Sequence, residues 1–175
     1  MKASKEYIIE FAGLSAGEHL YEFSVEDKFF ENLDYSEIKQ GNILVKVNLL
    51  KQSTMLVLHF DISGTVKVIC DRCADDFDLP IHGNNKLIVK VGGTYEESED
   101  DDIIYVADNE HKIDLTQYLY EYIILSIPIR RVHLEEGNCN ESTLDKISDL
   151  SEGESPDEEE KSDPRWDSLK NIRLN

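Results

Sequence analysis

TVKVICDRC, Thr65 to Cys73, is a strand that ends in a knuckle. Val66, Val68 and Cys70 fall on one side and Thr65, Lys67 and Ile69 on the other, the period of two expected of a half-buried strand. Cys70 and Cys73 then stand two residues apart, and at a strand end that gap lets both thiolates point at one ion. The stretch therefore points to a β domain and poses the chemical question of what the two sulfurs hold.

The flanking text repeats the period. Upstream, Ile43, Val45, Val47 and Leu49 alternate with Leu44, Lys46 and Asn48, and Met55 to Ile62 is nearly all apolar. Ser63-Gly64 reads as a turn into the Cys70 strand. Downstream, Phe77, Leu79 and Ile81 share a face, Gly83-Asn84-Asn85 reads as a turn or bulge, and Leu87, Val89 and Val91 continue. Near the start, Tyr7, Ile9 and Phe11, then Gly13 and Gly17, then Leu20 to Val25 predict an opening hairpin. The segment EDKFFENL predicts a short helix, and Ile103 to Val106 a short strand. Asp114 with Gln117 three residues on predicts a reciprocal cap. Leu115, Tyr118, Leu119, Tyr122 and Leu125 form the stripe of the helix behind it, which Pro128 stops. The fold expected is α+β, mainly antiparallel β, a meander or partly closed barrel with one packed amphipathic helix and a short C-terminal helix.

A chain of 175 residues can bury one ordinary core and carry a tail. The expected division is a β-rich domain with its packed helix over residues 1–134, an acidic flexible linker over 135–162 and an amphipathic helix over 163–175. In that last segment Asp163 would cap, Pro164 would take the first helical position, and Trp166, Leu169 and Ile172 would share a face. The net charge of -19 is concentrated: Glu135 to Asp163 holds twelve acids against two lysines, and Glu96 to Asp102 six acids and no base. The rest is nearly neutral, so the acidity belongs to loops.

An acidic chain is not steered toward bare nucleic acid, because phosphate is drawn by a positive field. RNA contact must then be local, and Lys46, Lys67, Arg72 and Lys90 in the middle third are its candidates. The alternative is a basic protein, docked by the acidic arm with Trp166 as anchor and Arg165 and Leu169 beside it. The amino terminus enters an alternating strand with no apolar signal core, and Ile123 to Ile129 is the longest nearly apolar run, so no membrane association is expected. Three cysteines, an odd count, do not suit a secreted disulfide framework and point to a reducing cytoplasm.

A metal site needs further donors, and His133 and Cys139 complete a Cys3His set with Cys70 and Cys73, a common shell for structural zinc. His111 could replace either later partner. Two reduced thiols at a strand end and a third in a loop are the plainer reading. The competing chemistry is thiol–disulfide exchange at Cys70 and Cys73. Redox C-x-x-C pairs normally open a helix, however, and these follow an antiparallel strand amid aspartates. No phosphate loop, G-x-S-x-G elbow, helical pair of metal-spaced histidines or spaced calcium loop is present, and no small-molecule substrate is expected. His59 alternates with Met55 and Val57 in a strand and reads as a core or barrel-face residue.

VKVICDRCADDF, the helix IDLTQYLYEYIILSIPIRRVH with a cysteine soon after it, and the closing DPRWDSLKNI together resemble the YceD family, the large ribosomal RNA subunit accumulation proteins. The likeness runs in order from about Val66 to Leu174 and rests on the succession of motifs. It implies a small cytoplasmic bacterial protein, with plastid relatives, without established catalytic activity and needed for accumulation of 23S ribosomal RNA and hence of the large subunit. On that pattern Cys70 and Cys73 match the family's C-x-x-C, and His133 and Cys139 match the segment where many members carry further cysteines. Members with a second full C-x-x-C can ligate zinc by four sulfurs; this chain, with only Cys139 there, cannot. The implied partners are 23S rRNA, a pre-50S particle or a basic large-subunit ribosomal protein.

Overall fold

The computed structural model describes residues 7–92, 102–133 and 139–152. Its main sheet is built from β2 (Gly17–Glu26), β3 (Gly41–Lys51), β4 (Met55–Ile69), β5 (Asp76–Val91) and β6 (Ile103–Val106), ordered as numbered. β2 to β5 are antiparallel neighbours and β6 lies parallel to β5. The result is an open meander with two edges, α+β and mainly β; it is not a barrel.

Each strand buries alternate residues. Ile43, Val45, Val47 and Leu49 from β3, Leu56, Leu58, Phe60 and Ile62 from β4, and Leu87 and Val89 from β5 form the inner face. His59 points the other way and is exposed, so it is not a core residue. Two expected breaks are absent. β4 runs unbroken through Ser63-Gly64 and β5 through Gly83-Asn84-Asn85, with one register between them from Met55↔Lys90 to Ile69↔Asp76. Gly64 is a close-approach position instead: at φ 155 its α-carbon faces β3, and a Cβ would sit on the Asn42 carbonyl oxygen.

The opening hairpin is also replaced. β1 (Ile8–Glu10) pairs with β7 (Lys112–Asp114) as a separate two-stranded sheet, and the Tyr7 carbonyl accepts from the Leu115 N–H (2.9 Å). This small sheet delivers the chain into α2 (Thr116–Leu125), while α1 (Asp27–Glu31), the short helix expected from EDKFFENL, joins β2 to β3 and buries Phe29 and Phe30. Asp114 accepts from the Thr116 N–H (2.9 Å) and its hydroxyl (2.6 Å). Gln117 does not return the cap; it bonds Glu121 and the Tyr35 hydroxyl. α2 buries Leu119, Tyr122 and Ile123, whereas Leu125 at its end is 73% exposed. Among the described residues no helix is long and apolar enough to cross a membrane.

Tyr122 sits edge-on to Phe60, with ring centroids 5.0 Å apart, and its hydroxyl donates to the Lys86 carbonyl. Burial, reinforced by Asp102, Tyr118 and Glu121, pushes its phenol up to about 12, against roughly 10 in an unfolded chain. The unfolded state therefore loses its proton first, and stability present below about pH 10 is lost as pH rises toward about 12. Denaturant midpoints on both sides of that window should fall with pH, and Tyr122→Phe should flatten the fall.

The segment expected to be a flexible linker contains a helix, α3 (Glu141–Glu152). Most of the acidic loop before Asp102 and the whole terminal helix expected over 163–175 lie outside the described residues.

Candidate metal centre

The alternation that buries Val66 and Val68 carries on past the end of β4 and buries Cys70, 1% exposed. The chain then doubles back into β5. The Cys70 N–H donates to the Asp75 carbonyl (2.8 Å) and the Ala74 N–H to the Cys70 carbonyl (2.9 Å), which turns Cys73 inward. Ala74 closes the turn at φ 60, in the left-handed region that suits glycine. Ala74→Gly should raise stability by about 0.5–1 kcal/mol, the relief of that conformation less the added freedom of the unfolded chain. Urea unfolding measures it.

A second strap brings the later donors in. The Asp71 N–H donates to the Arg131 carbonyl (2.7 Å), the Arg131 N–H donates to Asp71 Oδ2 (2.7 Å), and Arg131 Nε lies 3.8 Å from Asp71 Oδ1. This pins the chain after α2 beside the knuckle, two residues before His133. Nothing in the sequence marks the pair; a salt bridge of two half-exposed groups sixty residues apart leaves no local pattern. The Phe77 ring lies 4.5 Å from the His133 ring. Val132, Phe77 and Leu144 pack around the three sulfurs as a small cluster apart from the main core.

The donors converge there. His133 Nδ1 is 3.4 Å from Cys139 Sγ and 3.8 Å from Cys73 Sγ, and the donor atoms of Cys70, Cys73, His133 and Cys139 all lie within 4.8 Å of one another. One ion can touch all four. His111 is not among them; its carbonyl holds the Phe11 N–H in the small sheet. Burial acts to raise the Cys70 thiol, but the backbone N–H groups of Arg72, Cys73 and His133 and the Cys73 thiol bring it down to about 6. Cys139 is pushed up, first by burial and then by Cys73 and Cys70. The cluster thus favours one thiolate and resists more, the repulsion a bound cation would remove.

The other expected residues are placed as follows. Lys46, Lys67 and Lys90 share the outer face of the sheet, but Lys46 lies between Glu22 and Asp61, and Lys67 opposite Asp78. Lys90 approaches the Tyr105 ring, 5.4 Å from its centroid. Arg72 is exposed on the knuckle. Lys67 borders a groove in which Lys39 and Arg131 face Glu37, Asp71 and Asp76. Arg165, Trp166 and Leu169 lie outside the described residues.

The family model for the large ribosomal RNA subunit accumulation protein YceD matches residues 58–173, from within β4 through the knuckle, α2 and all four donors. That is roughly two thirds of the chain. The chain belongs to the YceD family. Comparison with curated proteins and with solved structures gives no match. The YceD match leaves out β1 to β3, so its span starts inside the sheet and takes in the four candidate donors and the helix that leads to them.

Proposed function

We propose that this YceD chain is a non-catalytic factor that supports accumulation of 23S rRNA and assembly of the large ribosomal subunit in the cytoplasm, by binding rRNA, a basic ribosomal protein, or both. The family match over residues 58–173 carries this reading. Within it, Cys70, Cys73, His133 and Cys139 hold a structural zinc ion. A tetrahedral zinc with Zn–S near 2.3 Å and Zn–N near 2.05 Å has S···N edges of about 3.6 Å; the 3.4 and 3.8 Å separations here bracket that value. Four protein donors close such a shell, so the ion's role is a cross-link between the β4–β5 knuckle and the chain on either side of residues 134–138.

The outer face favours a protein partner over RNA. On it Lys46 lies between Glu22 and Asp61 and Lys67 opposite Asp78, which interrupts a continuous positive field, while Lys86 stands opposite His59 and Lys90 opposite Met55. The rival reading, thiol exchange at Cys70 and Cys73, draws on the lowered Cys70 thiol. Both residues are 1% exposed, which keeps a substrate disulfide from the in-line approach that exchange needs.

Gradient sedimentation of a lysate containing the tagged chain, at low and physiological salt, tests the assembly reading. The chain should travel with 23S-containing precursors, and its depletion should lower large relative to small subunits. Sedimentation with neither rRNA nor ribosomal proteins, with subunit ratios unchanged on depletion, overturns it.

A further inference from the structure

The solvent side of α2 forms a groove that is both acidic and aromatic. Tyr118, Tyr120, Glu121, Ile124 and Leu125 line it with Asp102, the residue before β6, around about 520 Å³ of open space. Glu121 stands in the middle of the apolar groups: Tyr118 is three residues before it, and Ile124 and Leu125 are three and four after, the spacings at which helix side chains meet. Leu125 is 73% exposed, and Tyr35 meets Tyr120 edge-on with ring centroids 5.2 Å apart. Glu121 accepts from Gln117 Nε2 (2.8 Å), a neutral partner that leaves its charge uncompensated. Among the described residues that line the groove there is no cation. Burial and then Glu121 push the Tyr118 phenol up, so the carboxylate's field falls on the rings as well.

We infer that this groove takes the chain's own carboxy-terminal segment, residues 163–175, with Trp166 as the anchor. The segment lies outside the described residues. Read at helical spacing, its sequence sets Trp166, Leu169 and Ile172 on one arc, with Arg165 and Arg173 inside that arc and Asp163 and Asp167 away from it. Positive and apolar groups thus share one surface of the segment, as negative and apolar groups share one surface of α2. Arginine suits both halves of the groove, because a guanidinium pairs with a carboxylate and stacks on a tyrosine ring. The groove bordered by Lys67 is a poorer match, since Lys39 and Arg131 there would repel the arginines. Residues 153–162 separate α3 from the segment, and extended they span about 33 Å, the order of a small domain's diameter. A tether of that kind gives a roughly millimolar local concentration, which an untethered basic protein must outcompete. The contact goes beyond the assembly reading and stands without it.

Trp166 is the chain's single tryptophan, so the fluorescence of the full chain reports this segment directly. A millimolar local concentration set against a dissociation constant of about 0.5 mM keeps about two thirds of the segments docked. Acrylamide should therefore quench Trp166 about threefold more slowly in the chain than in a free peptide of residues 163–175, and its emission should lie to the blue of the peptide's. Leu125→Ser with Glu121→Gln should bring both readings to those of the peptide, and the exposure of both side chains keeps the denaturant midpoint in place. Arg165→Glu with Arg173→Glu should do the same, and adding Asp102→Lys with Glu121→Lys should restore the protection. The inference is overturned if Trp166 in the chain is quenched as fast as in the peptide, or if the Leu125 and Glu121 changes leave its protection intact. Protection that fades on dilution, which marks a second copy as the occupant, overturns it too, as does protection that needs added ribosomal protein.

Discussion

Chelation, or Cys73→Ser, should strip the amide protection of α3 while leaving that of β3 and β4 nearly unchanged. Among the described residues the cysteine cluster and the main core are separate groups of buried side chains that share Phe77. The long strands bury their own apolar face and do not need the ion; α3 does, because its described anchors are Cys139, Asn140 and Leu144. Structural zinc in small domains supplies about 10–16 kcal/mol of folding energy. Here that energy should appear locally, as protease cleavage within 139–152 that is fast without metal and slow with it. Loss of a direct ligand should lower metal affinity by more than the roughly 10–100-fold that outer-shell changes cost. Hydrogen exchange with and without chelator reads the effect, and uniform loss of protection across sheet and helix would contradict it. Affinity should also fall as pH falls, because the raised Cys139 thiol must give up its proton to bind.

Gly64→Ala should be the most damaging single methyl in the sheet. The added Cβ would lie on the Asn42 carbonyl oxygen and 2.7 Å from Ile43 Cα, both backbone atoms of the paired strand, at a φ of 155. Neither neighbour can rotate away. Overpacking and backbone strain together should cost about 3–5 kcal/mol, a large share of the roughly 5–15 kcal/mol that holds an ordinary domain. Gly83→Ala is the control. Its Cβ would meet the Ser126 side chain, which can turn aside, so the loss should be smaller. Denaturant midpoints of the two variants, compared side by side, decide the point.

Those two glycines also mark where sequence reading ran short. Gly64 and Gly83 were expected as turns because glycine between apolar runs usually ends a strand. Yet Ile62, Gly64 and Val66 keep one parity, as do Ile81, Gly83, Asn85 and Leu87. An unbroken parity across a glycine signals a close approach inside a longer strand. Pairing of β1 with β7 joins residues about a hundred positions apart, and no local pattern distinguishes it from a hairpin with β2. By contrast the four donors were legible, because cysteine and histidine are scarce and only a few combinations supply four. The Asp71–Arg131 strap that brings them together was not. In α3, Leu144, Ile147 and Leu150 already stood three residues apart in the sequence, but the acidic composition around them outweighed the spacing.

Cys70, Cys73, His133 and Cys139 are proposed to hold one zinc ion that ties the chain after α2 to the sheet. X-ray absorption at the zinc edge on the purified chain tests it most directly. The expected result is one zinc per chain with three sulfurs at about 2.3 Å and one nitrogen at about 2.0–2.1 Å, lost in Cys73→Ser. A folded chain that takes up no zinc when supplied with it, or a shell without three sulfurs, would contradict it.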